Sequence, residues 1–257
     1  MKTVAALLML AAPLAAHAEE TGKLVRFVAC PTYRDADSGR KSGCWLVEDP
    51  ATGRRWDTSL SPYKPDWNFA VLVEGKVAAA GPEACGAPVL DPVRTSRLLD
   101  QSCPRHMLPA EGYPGRRYKL SGRYIDPLSV ARAVPPGPYG ERVFPVYFEF
   151  DNDFLIYQYD DYLLDKAETW LKAAKPRKVV VTGYAATDPV TVSGQRLAER
   201  PLVARERAEA IAESLRRLIP ELVIETRWQT GARPTDEPEA DGLPGQSQRR
   251  VEIRAVF

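Results

Sequence analysis

Residues 132–145, RAVPPGPYGERVFP, constrain this chain more than any other stretch. The core Pro135-Pro136-Gly137-Pro138 fixes φ, removes backbone donors and can join neither a helix nor a central strand. The chain therefore folds as two units around a linker. Residues 19–131 form an N-terminal β-rich domain, 132–142 the linker and 143–257 a C-terminal domain, a division that 257 residues accommodate.

Residues 1–18 carry Lys2, an apolar run and the small-x-small sequence Ala16-His17-Ala18. This is the pattern of a cleavable secretory signal peptide, and it predicts export to the periplasm. No other stretch approaches the roughly 20 apolar residues of a transmembrane helix, so no membrane span is expected. The chain holds 35 Lys and Arg against 34 Asp and Glu, a balance that gives no argument for nucleic acid or an anionic membrane as partner.

Cys30, Cys44, Cys85 and Cys103 all lie in the first half, and in an oxidising compartment an even count reads as two disulfides. Short loops close most easily, which favours Cys30 with Cys44 and Cys85 with Cys103. Zinc needs closely spaced Cys or several His, yet His106 stands alone after residue 18 and no C-x-x-C occurs. No metal or other cofactor is expected.

Upstream of the linker, residues 23–29, 44–49, 54–59 and 69–79 read as short strands. Asp49-Pro50-Ala51-Thr52-Gly53 is a hairpin turn, and Gly75 inside the longest apolar run marks a bulge or bend. A small disulfide-braced β-domain, an OB-like or SH3-like barrel or a sandwich, is expected. Downstream, Val146, Phe148 and Phe150 alternate as a half-buried strand. Leu163, Ala167, Trp170, Leu171 and Ala174 fall at helical spacing, residues 179–183 form a buried strand, and Ala204, Ala208, Ile211, Ala212, Leu215 and Ile219 define a second helix. Residues 222–228 and the alternating Val251, Ile253, Ala255 and Phe257 complete the pattern. The order predicts an α+β sandwich, βαβαββ, with helices on one face of a mixed sheet.

These elements carry four motifs that together resemble the OmpA-like peptidoglycan-binding domain. Val146-Tyr147-Phe148-Glu149-Phe150-Asp151 resembles that family's V-x-F-x-F-D opening, and Lys178-Val179-Val180-Val181-Thr182-Gly183-Tyr184 its strand ending in Gly-His/Tyr-Thr-Asp. Arg207-Ala208-Glu209-Ala210-Ile211 resembles the R-A-x-x-V helix, and Gln248-Arg249-Arg250-Val251-Glu252-Ile253 the closing N-R-R-V-E-I. The resemblance spans residues 143–257. It implies noncovalent binding of the peptidoglycan stem peptide through diaminopimelate, a zwitterion held by an Asp and an Arg. A carboxylate accepts the ligand's ammonium hydrogen bonds, while a guanidinium grips its carboxylate with two parallel ones.

Carried over residue by residue, the arginine is Arg207. Strict spacing puts Ala186 at the aspartate position; Asp188, two residues on, serves if the loop carries an insertion. Tyr184 and Thr187 complete the expected peptidoglycan-binding set. The loop between Gly183 and Arg207 is longer than the family's, and its Asn-x-x-Leu-Ser segment is replaced by Arg200-Pro201-Leu202-Val203-Ala204. The alternative is an OmpA-like fold that has lost the ligand and acts as a protein–protein interaction module, and an envelope partner for the N-terminal domain is also expected. Catalysis is not expected: no His stands beside a Ser or Cys nucleophile in a recognisable pattern, and no Gly-rich phosphate loop occurs.

Overall fold

The computed structural model describes residues 20–37, 42–116, 126–127, 129–155 and 160–257. The expected signal peptide lies outside them. In chain order the elements are β1 (Leu24–Ala29), β2 (Pro31–Arg34), β3 (Cys44–Glu48), β4 (Arg55–Asp57), β5 (Phe69–Val77), β6 (Leu90–Ser102), β7 (Met107–Leu108), β8 (Arg142–Tyr147), α1 (Asp160–Ala174), β9 (Lys178–Ala185), β10 (Val190–Val192), β11 (Gln195–Leu197), α2 (Pro201–Leu218), β12 (Ile224–Thr230), α3 (Pro244–Gln248) and β13 (Arg250–Val256). The chain is mixed α and β, with several sheets, few helices and two disulfides.

The N-terminal half builds two sheets, β1-β5-β6 and β4-β3-β2-β7. The Asp49 turn joins β3 to β4: Gly53 N–H donates to the Asp49 carbonyl at 2.8 Å, and Gly53 takes φ +66°. Gly75 sits where the β5–β6 register shifts. Phe27, Val71, Val73 and Val93 from the first sheet pack with Val47 and Trp56 from the second, so the two sheets share a core. The opposite face of the first sheet is also covered. Val28, Ala70, Leu72 and Leu98 there pack against Val192 and Leu197 of the C-terminal half. This explains the unbroken apolar run Ala70-Val71-Leu72-Val73, because a strand buried on both faces has no polar side to show.

The disulfides join Cys30 to Cys103 and Cys44 to Cys85, correcting the sequence-local pairing. The cause is topological. β5 runs antiparallel to both β1 and β6, so the ends of those two strands reach the same end of the sheet, on either side of the start of β5. Cys30 and Cys103 follow them directly, with Cα atoms 5.7 Å apart, although 73 residues separate them in sequence.

The C-terminal half forms a mixed four-stranded sheet of order β12-β9-β13-β8, with β9 and β12 parallel and the other pairs antiparallel. Alternation puts Phe144, Val146, Val179, Val181, Val251, Ile253 and Ala255 on one face. There they join Leu163, Ala167, Trp170 and Leu171 of α1 and Ala208, Ile211 and Leu215 of α2 in a single core. Pro201 opens α2 and Arg216 and Arg217 close it, the charge sense that its dipole favours. Gly183 lets α2 approach β9: a Cβ there would lie 1.9 Å from the Ala204 carbonyl oxygen. The long loop expected between Gly183 and Arg207 contains a hairpin, β10–β11, whose Val192 and Leu197 supply the apolar cover for the N-terminal sheet. The Ser193 hydroxyl accepts the Val28 N–H at 3.0 Å and so ties the hairpin to β1.

Candidate functional site

The strand opening the C-terminal half runs on into residues 148–153, the loop that approaches the start of α2. Asp151 there accepts the Arg200 N–H at 2.8 Å and its Nε–H at 2.9 Å, so a carboxylate from the β8 side holds the residue that precedes the helix. About two turns further along α2, Arg207 points into the protein and its side chain has no exposed surface. Its Nη2 and Nη1 donate to the Glu199 carboxylate at 2.6 and 3.1 Å. Its remaining N–H groups donate to the carbonyls of Asn152 and Tyr184, both at 2.8 Å, and of Glu149 at 2.9 Å. A guanidinium has five donors, and here all five are used.

Glu199 is equally enclosed. Besides Arg207 it accepts the Asp151 N–H at 2.8 Å and the Ala186 N–H at 2.7 Å. Burial opposes its ionisation, but the Arg207 guanidinium, helped by Arg249 and the Ala186 N–H, prevails and holds the carboxyl below its ordinary value. Strict motif spacing puts the expected aspartate at Ala186, and Glu199 instead brings a carboxylate to the Ala186 N–H. No sequence motif marks Glu199. Its role follows from the burial of Arg207, which the motif does not announce.

The other expected residues sit elsewhere. Thr187 Oγ1 accepts the Gly231 N–H at 2.8 Å, and exposed Asp188 lies beside the same glycine. Among the described contacts, neither touches the Arg207 side chain. Tyr184 meets Arg207 only through its carbonyl. Its ring lies on the opposite face of the sheet, with the Arg250 guanidinium 4.2 Å from the centroid, and its hydroxyl donates to Glu252 at 3.1 Å. Burial, followed by the Glu252 carboxylate, pushes the Tyr184 phenol up. The structure thus joins Arg207 to Glu199 instead of to Asp188.

The two halves meet around this region through a belt of charge. Arg94 pairs with Asp241, the Gly245 N–H donates to Glu74 at 2.6 Å, and Lys76 Nζ donates to the Asp241 carbonyl at 3.2 Å. Arg249, fully enclosed, lies 3.9 Å from Glu74; burial pushes its guanidinium down, opposed by Glu74 and Glu199. Gly245 is required at this seam, since a Cβ there would lie 2.3 Å from Glu74 Oε2. On the other side of the same contact Arg97 donates to Glu149 at 3.3 Å, and the Phe150 N–H donates to Ser96 Oγ at 3.0 Å. No helix among the described residues is long and apolar enough to cross a membrane.

No family model matches the chain, and no curated protein matches it. Among solved structures the chain is similar to the cell wall anchor of the T6SS from Pseudomonas aeruginosa, at 19% identity and a TM-score of 0.32 over 45% of this chain and 81% of that one.

Proposed function

We propose that this chain is a noncatalytic periplasmic protein that associates with the cell wall, its C-terminal module binding the peptidoglycan stem peptide through diaminopimelate. The observation that carries the reading is the place of Arg207. The arginine of the R-A motif ties together the carbonyls of Glu149 and Asn152, in the loop after β8, and of Tyr184, which leads into the loop where the resemblance puts the aspartate. The pairing of β9 with β13, which sets Gly183 opposite Val251 and so brings two of the motifs together, supports the reading. Two disulfides suit an oxidising envelope compartment. Since Arg207 is saturated within the protein, direct contact with the ligand falls to other groups around those loops.

The test is co-sedimentation of the mature chain with purified sacculi. Pelleting above an inert control protein supports the reading, and pelleting no better than that control removes it. Competition by free diaminopimelate tests the finer claim about the ligand.

A second reading keeps the fold without the ligand, as an interaction module in an envelope assembly. The closed Arg207–Glu199 pair favours it, because no guanidinium is left at the family position to hold a ligand carboxylate. It predicts no pelleting with sacculi and recovery of a specific envelope protein by crosslinking in intact cells.

A further inference from the structure

A cleft of about 640 Å³ lies where the two halves of the chain meet, lined by residues 97–101 of β6, 149–153 after β8, and 195–198 of β11. It exists only because the β10–β11 hairpin and β6 come together, so neither half contains it alone. Glu149 lines this cleft and is only 2% exposed. Its Oε2 accepts from Arg97 at 3.3 Å and from Asn152 Nδ2 at 3.2 Å, while its Oε1 is buried with no hydrogen-bond partner. A buried carboxylate oxygen without a donor is costly and calls for a group that supplies one.

The other walls carry both signs of charge. Asp100, Asp153 and Arg196 are exposed and make no ion pair among the described residues, whereas Asp151 is engaged by Arg200. Arg97 makes its described pair only with Glu149 and is 36% exposed. Acids with an unfilled acceptor beside two accessible guanidiniums match neither a simple anion nor a simple cation.

We propose that this interdomain cleft binds a small zwitterion, the ammonium and carboxylate head of an amino acid. The ammonium donates to Glu149 Oε1 with Asp100 and Asp153 close by, and the carboxylate meets Arg97 and Arg196. The inference rests on the cell-wall reading for the natural source of that head group, the diaminopimelate of a stem peptide. It moves the contact from the closed Arg207 to a site that the N-terminal half helps to build.

Calorimetric titration of the full mature chain with free diaminopimelate tests it, alongside a fully N-acetylated derivative and a diamide. The intact zwitterion binds, and each blocked form binds at least about tenfold more weakly. Arg196→Ala, on an exposed side chain outside the described contacts, and the isosteric Glu149→Gln weaken binding by at least the same factor. Should Glu149→Gln fail to fold, Arg196→Ala carries the test. No binding to the intact chain, or equal binding by Arg196→Ala, overturns the proposal. Pelleting with sacculi that survives Arg196→Ala, without measurable binding of diaminopimelate, removes the cleft and leaves the cell-wall reading standing. Binding of diaminopimelate without pelleting does the reverse.

Discussion

Glu199 closes on Arg207 from eight residues upstream through two charge-assisted hydrogen bonds, and both side chains are fully enclosed. Such a pair is held less by Coulomb attraction than by the cost of exposing either member to a buried site without the other. Glu199→Ala strands the guanidinium and lowers stability by about 3–5 kcal/mol, read from urea unfolding at pH 7. Asp188→Ala, on an exposed side chain, stays within about 0.5 kcal/mol of the parent. Equal effects from the two substitutions would mean that Glu199 is not the acid that holds Arg207.

The same pair sets a pH signature. Glu199 has a lowered carboxyl pKa in the fold, so its stabilisation is complete above the ordinary value of 4.5 and declines as pH falls from there through the lowered value. Glu149 behaves oppositely. Burial, opposed mainly by Arg97, pushes its carboxyl above 4.5, so its most favourable contribution lies at acid pH and is lost as pH rises through the raised value. The stability of Glu149→Gln relative to the parent therefore improves between about pH 4.5 and pH 7, while that of Glu199→Gln worsens as pH rises from below 4.5 and then levels off. Denaturant midpoints across that range check both trends. Parallel curves for the two variants would contradict the assignment.

Much of the C-terminal fold was legible because its signals are local. Alternation at Val251, Ile253 and Ala255 and helical spacing through Ala208, Ile211 and Leu215 each report one buried face, and the structure buries those faces. β6 was not legible. It is the longest strand, yet its interior reads Arg94-Thr95-Ser96-Arg97, and the first three of these are buried. They bond to distant partners: Ser61 and the Tyr63 carbonyl for Thr95, the Phe150 N–H for Ser96, and Asp241 for Arg94. Periodicity detects apolar burial and is blind to polar burial that is satisfied far away in sequence. The candidate site shows the same division. Arg207 was singled out by its motif for a ligand-gripping role, whereas its partner Glu199 and the cleft come from the β10–β11 segment and from contacts between the two halves.

Gly183 tests whether the close approach of helix and strand is essential. A Cβ at that position would overlap the Ala204 carbonyl oxygen, a backbone atom that moves only if α2 moves. Gly183→Ala accordingly shifts the helix that carries Arg207 and costs at least about 1–3 kcal/mol, the usual penalty of overpacking. Thermal unfolding measures the loss, and an unchanged Tm would show that the helix has room to spare.

The crossed disulfides make a separate claim on the N-terminal half. Loop-closure entropy assigns each bridge roughly 4 kcal/mol, with the bridge spanning 73 residues slightly ahead of the one spanning 41. Cys30→Ala with Cys103→Ala removes one complete pair and leaves Cys44–Cys85 intact. A Cys30→Ala, Cys44→Ala variant would instead strand two partners. Peptide mapping under non-reducing conditions shows a Cys44–Cys85 fragment in the first variant. Recovery of Cys30 linked to Cys44 in the parent chain would refute the topology.

The hairpin supplies an apolar link between the halves. Val192 and Leu197 are nearly fully buried, and their partners Val28, Ala70, Leu72 and Leu98 belong to a face that would otherwise be an apolar patch open to water. Charge belts such as Arg94–Asp241 and Arg249–Glu74 are weak stabilisers once desolvation is counted, so the apolar contact decides whether the halves move as one. Leu197→Ala removes about 2–5 kcal/mol from that contact, and Leu197→Asp more, because an unpaired carboxylate cannot be buried there. Calorimetry of Leu197→Asp then resolves two transitions where the parent chain shows one. Hydrogen exchange also speeds at Val28 and Leu72 while the α2–β9 core stays protected. A single transition with unchanged exchange in β1 and β5 would mean that the polar belt, and not the hairpin, couples the two halves.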